Sequence, residues 1–137
     1  MRMSERRMRR VRVMKFGGGA VADGKKIKTV ANLIRQSKEG TEEKGSNGLV
    51  VVTSAIFEIT DILHENASRV AKEGDVEKVK EFVNELKNRH ETAASEAIDN
   101  KHVLNVVKKE IEERIGEMEK AFVGICLLGE LTARSLD

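Results

Sequence analysis

Proline, tryptophan and tyrosine are absent from this chain, and cysteine occurs once. Without proline, no helix carries a built-in break, and turns fall to Gly, Asn and Asp. With only four Phe as aromatics, the core must be built mostly from Val, Ile, Leu and Ala. None of the four lies among the basic first twelve residues, so no aromatic is at hand there to stack nucleic-acid bases. A single cysteine closes no internal disulfide, and Cys126 lies in an apolar run, which predicts a buried, reduced thiol. No apolar run is long enough to span a bilayer. No membrane partner is expected, and the expected location is the cytoplasm.

What is present suits one domain: 137 residues, 39% hydrophobic and 35% charged. The net charge is +2, and much of the excess falls at Arg2, Arg6, Arg7, Arg9, Arg10 and Arg12. Residues 1–10 therefore read as a basic, solvated arm and residues 11–137 as the folded domain. The body is mixed in sign, which does not describe a nucleic-acid groove.

Apolar spacing predicts the elements. Val11–Phe16 reads as a short strand ending in Gly17-Gly18-Gly19. A helix opens at Asp23 or Gly24, with Ile27, Val30, Ala31 and Ile34 on one face. Residues 38–48 are polar and glycine-punctuated, the signature of a surface loop. Residues 49–53 form a β-branched run that fits a strand buried on both faces of a parallel sheet. The order strand, glycine turn, helix, strand is a βαβ unit. A helix over 60–72 follows, with Leu63, Ala67, Val70 and Ala71 inward, stopped by Gly74. Asp75 is placed to cap a long helix carrying Val76, Val79, Val83, Leu86, Ala93 and Ala97. After a turn at 99–102, another long helix carries Val103, Val107, Ile111, Ile115, Met118 and Phe122. The two long helices should pair as an antiparallel hairpin. Thr132 reads as the cap of a further helix. Both strands look like interior strands in need of neighbours, and the chain reads as stopping before its fold is complete.

A strand that ends in consecutive glycines before a helix suits a phosphate. Glycine lets the backbone approach the anion, and helix N-terminal N–H groups add the positive end of the dipole. A ligand-free tight turn fits the same pattern. Gly19 to Lys25 matches seven positions of the P-loop pattern, but position 26 is Lys where that pattern needs Ser or Thr for magnesium. His64, His90 and His102 fall in helical or turn segments, Cys126 has no evident base partner, and no hydrolytic triad or metal-ligand set emerges.

Met14-Lys15-Phe16-Gly17-Gly18, with Val21 and Asp23, resembles the opening of aspartate kinases, whose signature is K-F-G-G-T-S-V. Val50-Val51-Val52-Thr53-Ser54-Ala55, followed by Ile59-Thr60-Asp61, is similar to that family's V-V-V-S-A-M-S-G-V-T-[ND]. The helical pair and Leu128-Gly129-Glu130-Leu131-Thr132 also resemble the family, its archaeal members especially. The resemblance covers nearly everything from Val13 to Asp137. It implies an α/β fold of amino-acid-kinase (carbamate-kinase-like) type, present in part, with parallel strands and a long helical hairpin. It implies phosphoryl transfer from MgATP to the side-chain carboxylate of L-aspartate, the first step of lysine, threonine and methionine biosynthesis. Lys15 would be catalytic and would hold the ATP phosphates together with Gly17, Gly18 and Gly19. Ser54 and Thr60 would line the aspartate site, and no side chain is assigned to the metal.

Gly19-Ala20 stands in place of the family's Thr-Ser, and Phe57-Glu58 where many members have Ser-Gly. The family's later glutamate, its second glycine-rich segment and its regulatory domains have no counterpart here. Isolated, the chain is expected to be inactive, with a homo-oligomer or a chain supplying the other half as partner. The alternative from another class is a non-catalytic helical interaction module that uses residues 75–122 to bind a partner.

Overall fold

Val11–Phe16 forms β1 and Gly48–Thr53 forms β2 in the computed structural model, which describes residues 11–43 and 48–131. The strands pair in parallel, in register from Val11 opposite Gly48 to Phe16 opposite Thr53. Between them lie a 3-10 turn at Gly18–Val21 and the helix α1, Gly24–Glu43. The expected βαβ order and the parallel pairing are both found.

Side-chain alternation gives the sheet two unlike faces. Half-buried Met14 and Phe16 alternate with exposed Val13 and Lys15. Arg12 Nη1 donates to Ser37 Oγ of α1 at 3.0 Å, which places the even-numbered residues of β1 on the α1 side. On the other face Val13 is 64% exposed and Val52 46%. The expectation that β2 is buried on both faces is therefore corrected. A parallel strand is buried twice only where helices lie on both sides, and α1 covers one side.

Three helices make the main core: α2 Ile59–Glu73, α3 Val76–Ala97 and α4 Lys101–Leu128. Gly74, at φ 65°, ends α2 with its N–H on the Val70 carbonyl, a left-handed cap that glycine adopts without side-chain strain. Asp75 caps α3 as expected, its carboxylate accepting from the Glu77 and Lys78 amides at 3.0 and 3.4 Å. Asn100 caps α4 through the Val103 amide, so the turn expected at 99–102 ends at Asn100 and Lys101 is already helical.

The hairpin of α3 and α4 is antiparallel. Phe82 meets Phe122 with ring centroids 5.4 Å apart, and Lys87 Nζ lies 2.6 Å from Glu112 Oε1 further along. The hydrogen bond that Lys87 donates to Glu112 raises the Lys87 pKa and lowers that of Glu112. Both groups are in solvent, where salt screens the pair. Val70, Val79, Phe82, Val83, Leu86, Ile115, Phe122 and Cys126 are buried in this core, each large apolar side chain contributing about 1.5–3 kcal/mol. Phe82, absent from the expected stripe, is one of its central members, whereas Val103 and Ala31, placed on inner faces by spacing, are exposed. Cys126 is buried and free, as expected.

The βαβ unit joins this core where α1 begins. Gly24 is buried against α3, and a Cβ there would collide with the Ala93 carbonyl oxygen and the Glu96 Cβ. Lys28 Nζ reaches Asp99 Oδ2 at 2.6 Å across the same junction. The loop expected from residue 38 is also corrected, since α1 continues to Glu43. Polar composition describes a solvated helix end as well as a loop, and Lys and Glu are good helix formers that carry it past Gly40. The basic arm at 1–10, residues 44–47 and the Thr132 cap lie outside the described residues. Among the described residues no helix is long and apolar enough to cross a membrane.

Gly24→Ala should lower stability by about 1–3 kcal/mol, because the collision outweighs the gain in helix propensity. Asp75→Ala should cost about 1 kcal/mol through the lost cap. Urea unfolding followed by circular dichroism measures both; an unchanged midpoint for Gly24→Ala contradicts the tight junction.

Candidate functional site

Both strands end at the same edge, and the two sequence motifs meet there. After Phe16 the chain passes through Gly17 in extended backbone and tightens into the 3-10 turn, with the Ala20 amide donating to the Gly17 carbonyl at 2.9 Å. On the neighbouring strand the Ser54 amide donates to the Phe16 carbonyl at 3.0 Å. This bond carries the parallel ladder one step past Thr53. It seats the start of the loop at 54–58 beside the glycine turn.

The glycines differ in their surroundings. Nothing stands within 4 Å of a Cβ built on Gly17 or Gly19, and both residues are exposed. A Cβ on Gly18 would lie 3.6 Å from Phe57 Cα and 3.7 Å from Ser54 Oγ. Ser54 is thus brought to the turn. Lys15 is exposed on the sheet face away from α1, opposite Val52 in register. Thr60, exposed in the first turn of α2, lines an apolar groove of about 260 Å³ between α2 and α4, with Leu63, His64, Met118 and Phe122.

The start of α1 is already furnished. The Asp23 carboxylate accepts from the Lys26 amide at 2.8 Å, so a side chain of the protein holds the place an anion takes at a free helix N-terminus. Gly24 of the P-loop-like stretch faces Ala93 of α3, and packing accounts for it. Lys25 is exposed in the first turn.

Two features of the site escaped the sequence. Glu58 adopts φ 65°, the one non-glycine residue with positive φ among those described. It stands where the similar family often carries glycine, and that departure was the available signal. Arg89 of α3 donates from Nη2 to the Phe57 carbonyl at 2.6 Å; nothing in a charged helix singles it out. Among the described residues no group of three or more His, Cys, Asp or Glu is arranged to hold a metal ion. His90 uses Nδ1 on the Leu86 carbonyl one turn back, at 2.8 Å. No family model matches the chain.

Glu58→Gly should stabilise the protein by about 0.5–1 kcal/mol. Relief of left-handed strain gives about 1–2 kcal/mol, and the greater freedom of glycine in the unfolded chain takes back about 0.4–1. Thermal unfolding checks the sign; a lower midpoint would show that Glu58 makes contacts worth more than its strain.

Proposed function

We propose that the chain forms the phosphate- and acceptor-binding side of an amino-acid-kinase site, of the kind that moves phosphate from MgATP to L-aspartate. The observation that carries this reading is the meeting of two motifs, Lys15 to Gly18 and Val50 to Ser54, at the carboxyl ends of adjacent parallel strands. Open α/β sheets bind ligands at that edge.

The chemistry follows from the inventory. The aspartate side chain is ionised at neutral pH and needs no general base. The γ-phosphoryl group leaves ADP and bonds to a carboxylate oxygen, giving an acyl phosphate, so the protein must position two anions and neutralise their charge. Lys15 supplies the cation, the open backbone at Gly17 and Gly19 gives phosphate oxygens access to N–H groups, and the Ser54 hydroxyl offers a hydrogen bond to the acceptor. Thr60, expected beside Ser54, instead lines the groove between α2 and α4 and is given no part in this reading. Magnesium enters with ATP as substrate and would be held chiefly by phosphate oxygens. Its chemistry is charge neutralisation on the transferring group.

The site as described is open: Lys15, Gly17 and Gly19 all face solvent. Catalysis of this kind depends on preorganised dipoles in a water-excluded cleft. The 137-residue chain by itself should therefore form no β-aspartyl phosphate, measured by hydroxylamine trapping. Robust turnover would show that no further covering is needed.

A second reading as a partner-binding module draws support from one observation, the exposed apolar sheet face of Val11, Val13, Val50 and Val52. The stripe of the α3–α4 hairpin does not serve it, because its central residues are buried in the core with α2.

In a version of the protein that does turn over, Lys15→Ala should lower kcat by about 100-fold or more, and Lys25→Ala should change it far less. The reverse order of effects would favour the P-loop assignment.

A further inference from the structure

The loop that carries Ser54 is held in a conformation its own residues do not prefer. Glu58 sits at φ 65°, where a side chain crowds the backbone. The neighbouring Phe57 ring is 48% exposed, so burial of that ring supplies little of the holding force. Two short-range bonds close the turn, the Ile59 amide on the Ile56 carbonyl at 3.1 Å and the Ile62 amide on the Glu58 carbonyl at 3.0 Å. From α3, Arg89 grips the loop at the Phe57 carbonyl, at 2.6 Å. A guanidinium donor at this distance makes a strong, charge-assisted bond. Phe57 in turn lies against Gly18. The Arg89 bond from α3 therefore holds a residue that neighbours the glycine turn, where a Cβ on Gly18 would lie 3.6 Å from Phe57 Cα.

We propose that Arg89 is a positioning residue that clamps the 54–58 loop onto the glycine turn and so sets where the Ser54 hydroxyl stands relative to Gly18. Its significance for phosphoryl transfer rests on the function proposed above; the clamp itself does not. Arg89 acts through Phe57. It also borders, with Asp23, Asn88, Thr92, Ala93 and Glu96, a cavity of about 380 Å³ between α3 and the start of α1. Five N–H donors let one side chain serve both the carbonyl and that cavity. The bond lies in an exposed setting, so solvent takes the place of the guanidinium at the Phe57 carbonyl once the side chain is removed, and the strained turn loses its external hold.

Amide hydrogen exchange by nuclear magnetic resonance on the full chain tests the clamp in Arg89→Ala and Arg89→Lys. In Arg89→Ala the Ser54, Ile59 and Ile62 amides should exchange about ten- to a hundredfold faster, the loss of one charged hydrogen bond. The Gly74 and Leu104 amides, which close the distant ends of α2 and the start of α4, should keep their rates. Arg89→Lys, which retains a cationic donor, should restore most of the protection. Unchanged exchange at Ser54 and Ile59 in Arg89→Ala overturns the proposal, as does equal acceleration at Gly74 and Leu104, which would make Arg89 a residue of general stability. Failure of Arg89→Lys to restore protection overturns it too. Adding inorganic tripolyphosphate to the unsubstituted chain separates the two ideas: no shift at the Gly17 to Gly19 amides refutes the phosphate site while the exchange result still decides the clamp.

Discussion

The structure hinges on the close approach of α1 to α3 at Gly24. On one side of that contact lie the two strands, the glycine turn and α1; on the other lies the packed core of α2, α3 and α4. Because Gly24 has no side chain, the first turn of α1 can rest on the Ala93 carbonyl, and the strand edge is then fixed relative to α3. Arg89, one turn before Ala93 on the same helix, reaches the loop after β2. A single helix thus holds both loops of the candidate site, one by close packing and the other by a hydrogen bond. The phosphate-like glycine pattern and the packing glycine are neighbours in sequence but have separate tasks. Gly17 and Gly19 leave backbone open, whereas Gly24 makes room for a helix.

Much of this was legible beforehand, for physical reasons that can be named. The strands carry a β-branched signature, the α3 cap is a carboxylate before an apolar periodic run, and the three-glycine turn breaks the first strand at a defined place. Period counting found Val79, Val83, Leu86, Ile115 and Phe122, all buried. It failed where a stripe outruns its partner: Val103 keeps the spacing of the α4 stripe but is 46% exposed. It failed also at β2, because hydrophobicity reports what a strand can bury and not what covers it. Glu58 and Arg89 were illegible for a different reason. Backbone strain and a side-chain bond to a carbonyl 32 residues away are tertiary facts, and a local pattern holds no trace of them beyond the departure from glycine at position 58.

The strained turn gives the site a physical asymmetry. The glycine turn is locally determined, its hydrogen bond spanning Gly17 to Ala20. The hydroxyl side depends on a left-handed glutamate and a grip from a distant helix. Such loops open at lower free energy than the core. The loop at 54–58 is therefore the more adjustable of the two, and the glycine turn is the fixed reference.

The central claim is that an anion belongs at the Gly17 to Gly19 turn, beside Ser54, and not at the start of α1. A map of amide chemical-shift changes during titration with MgATP tests it most directly. The account predicts shifts concentrated at Gly17, Gly18, Gly19 and Ser54, with Lys25 and Lys26 unmoved because the Asp23 carboxylate already occupies that helix end. Shifts concentrated at Gly24, Lys25 and Lys26, with the three-glycine turn unmoved, would contradict it.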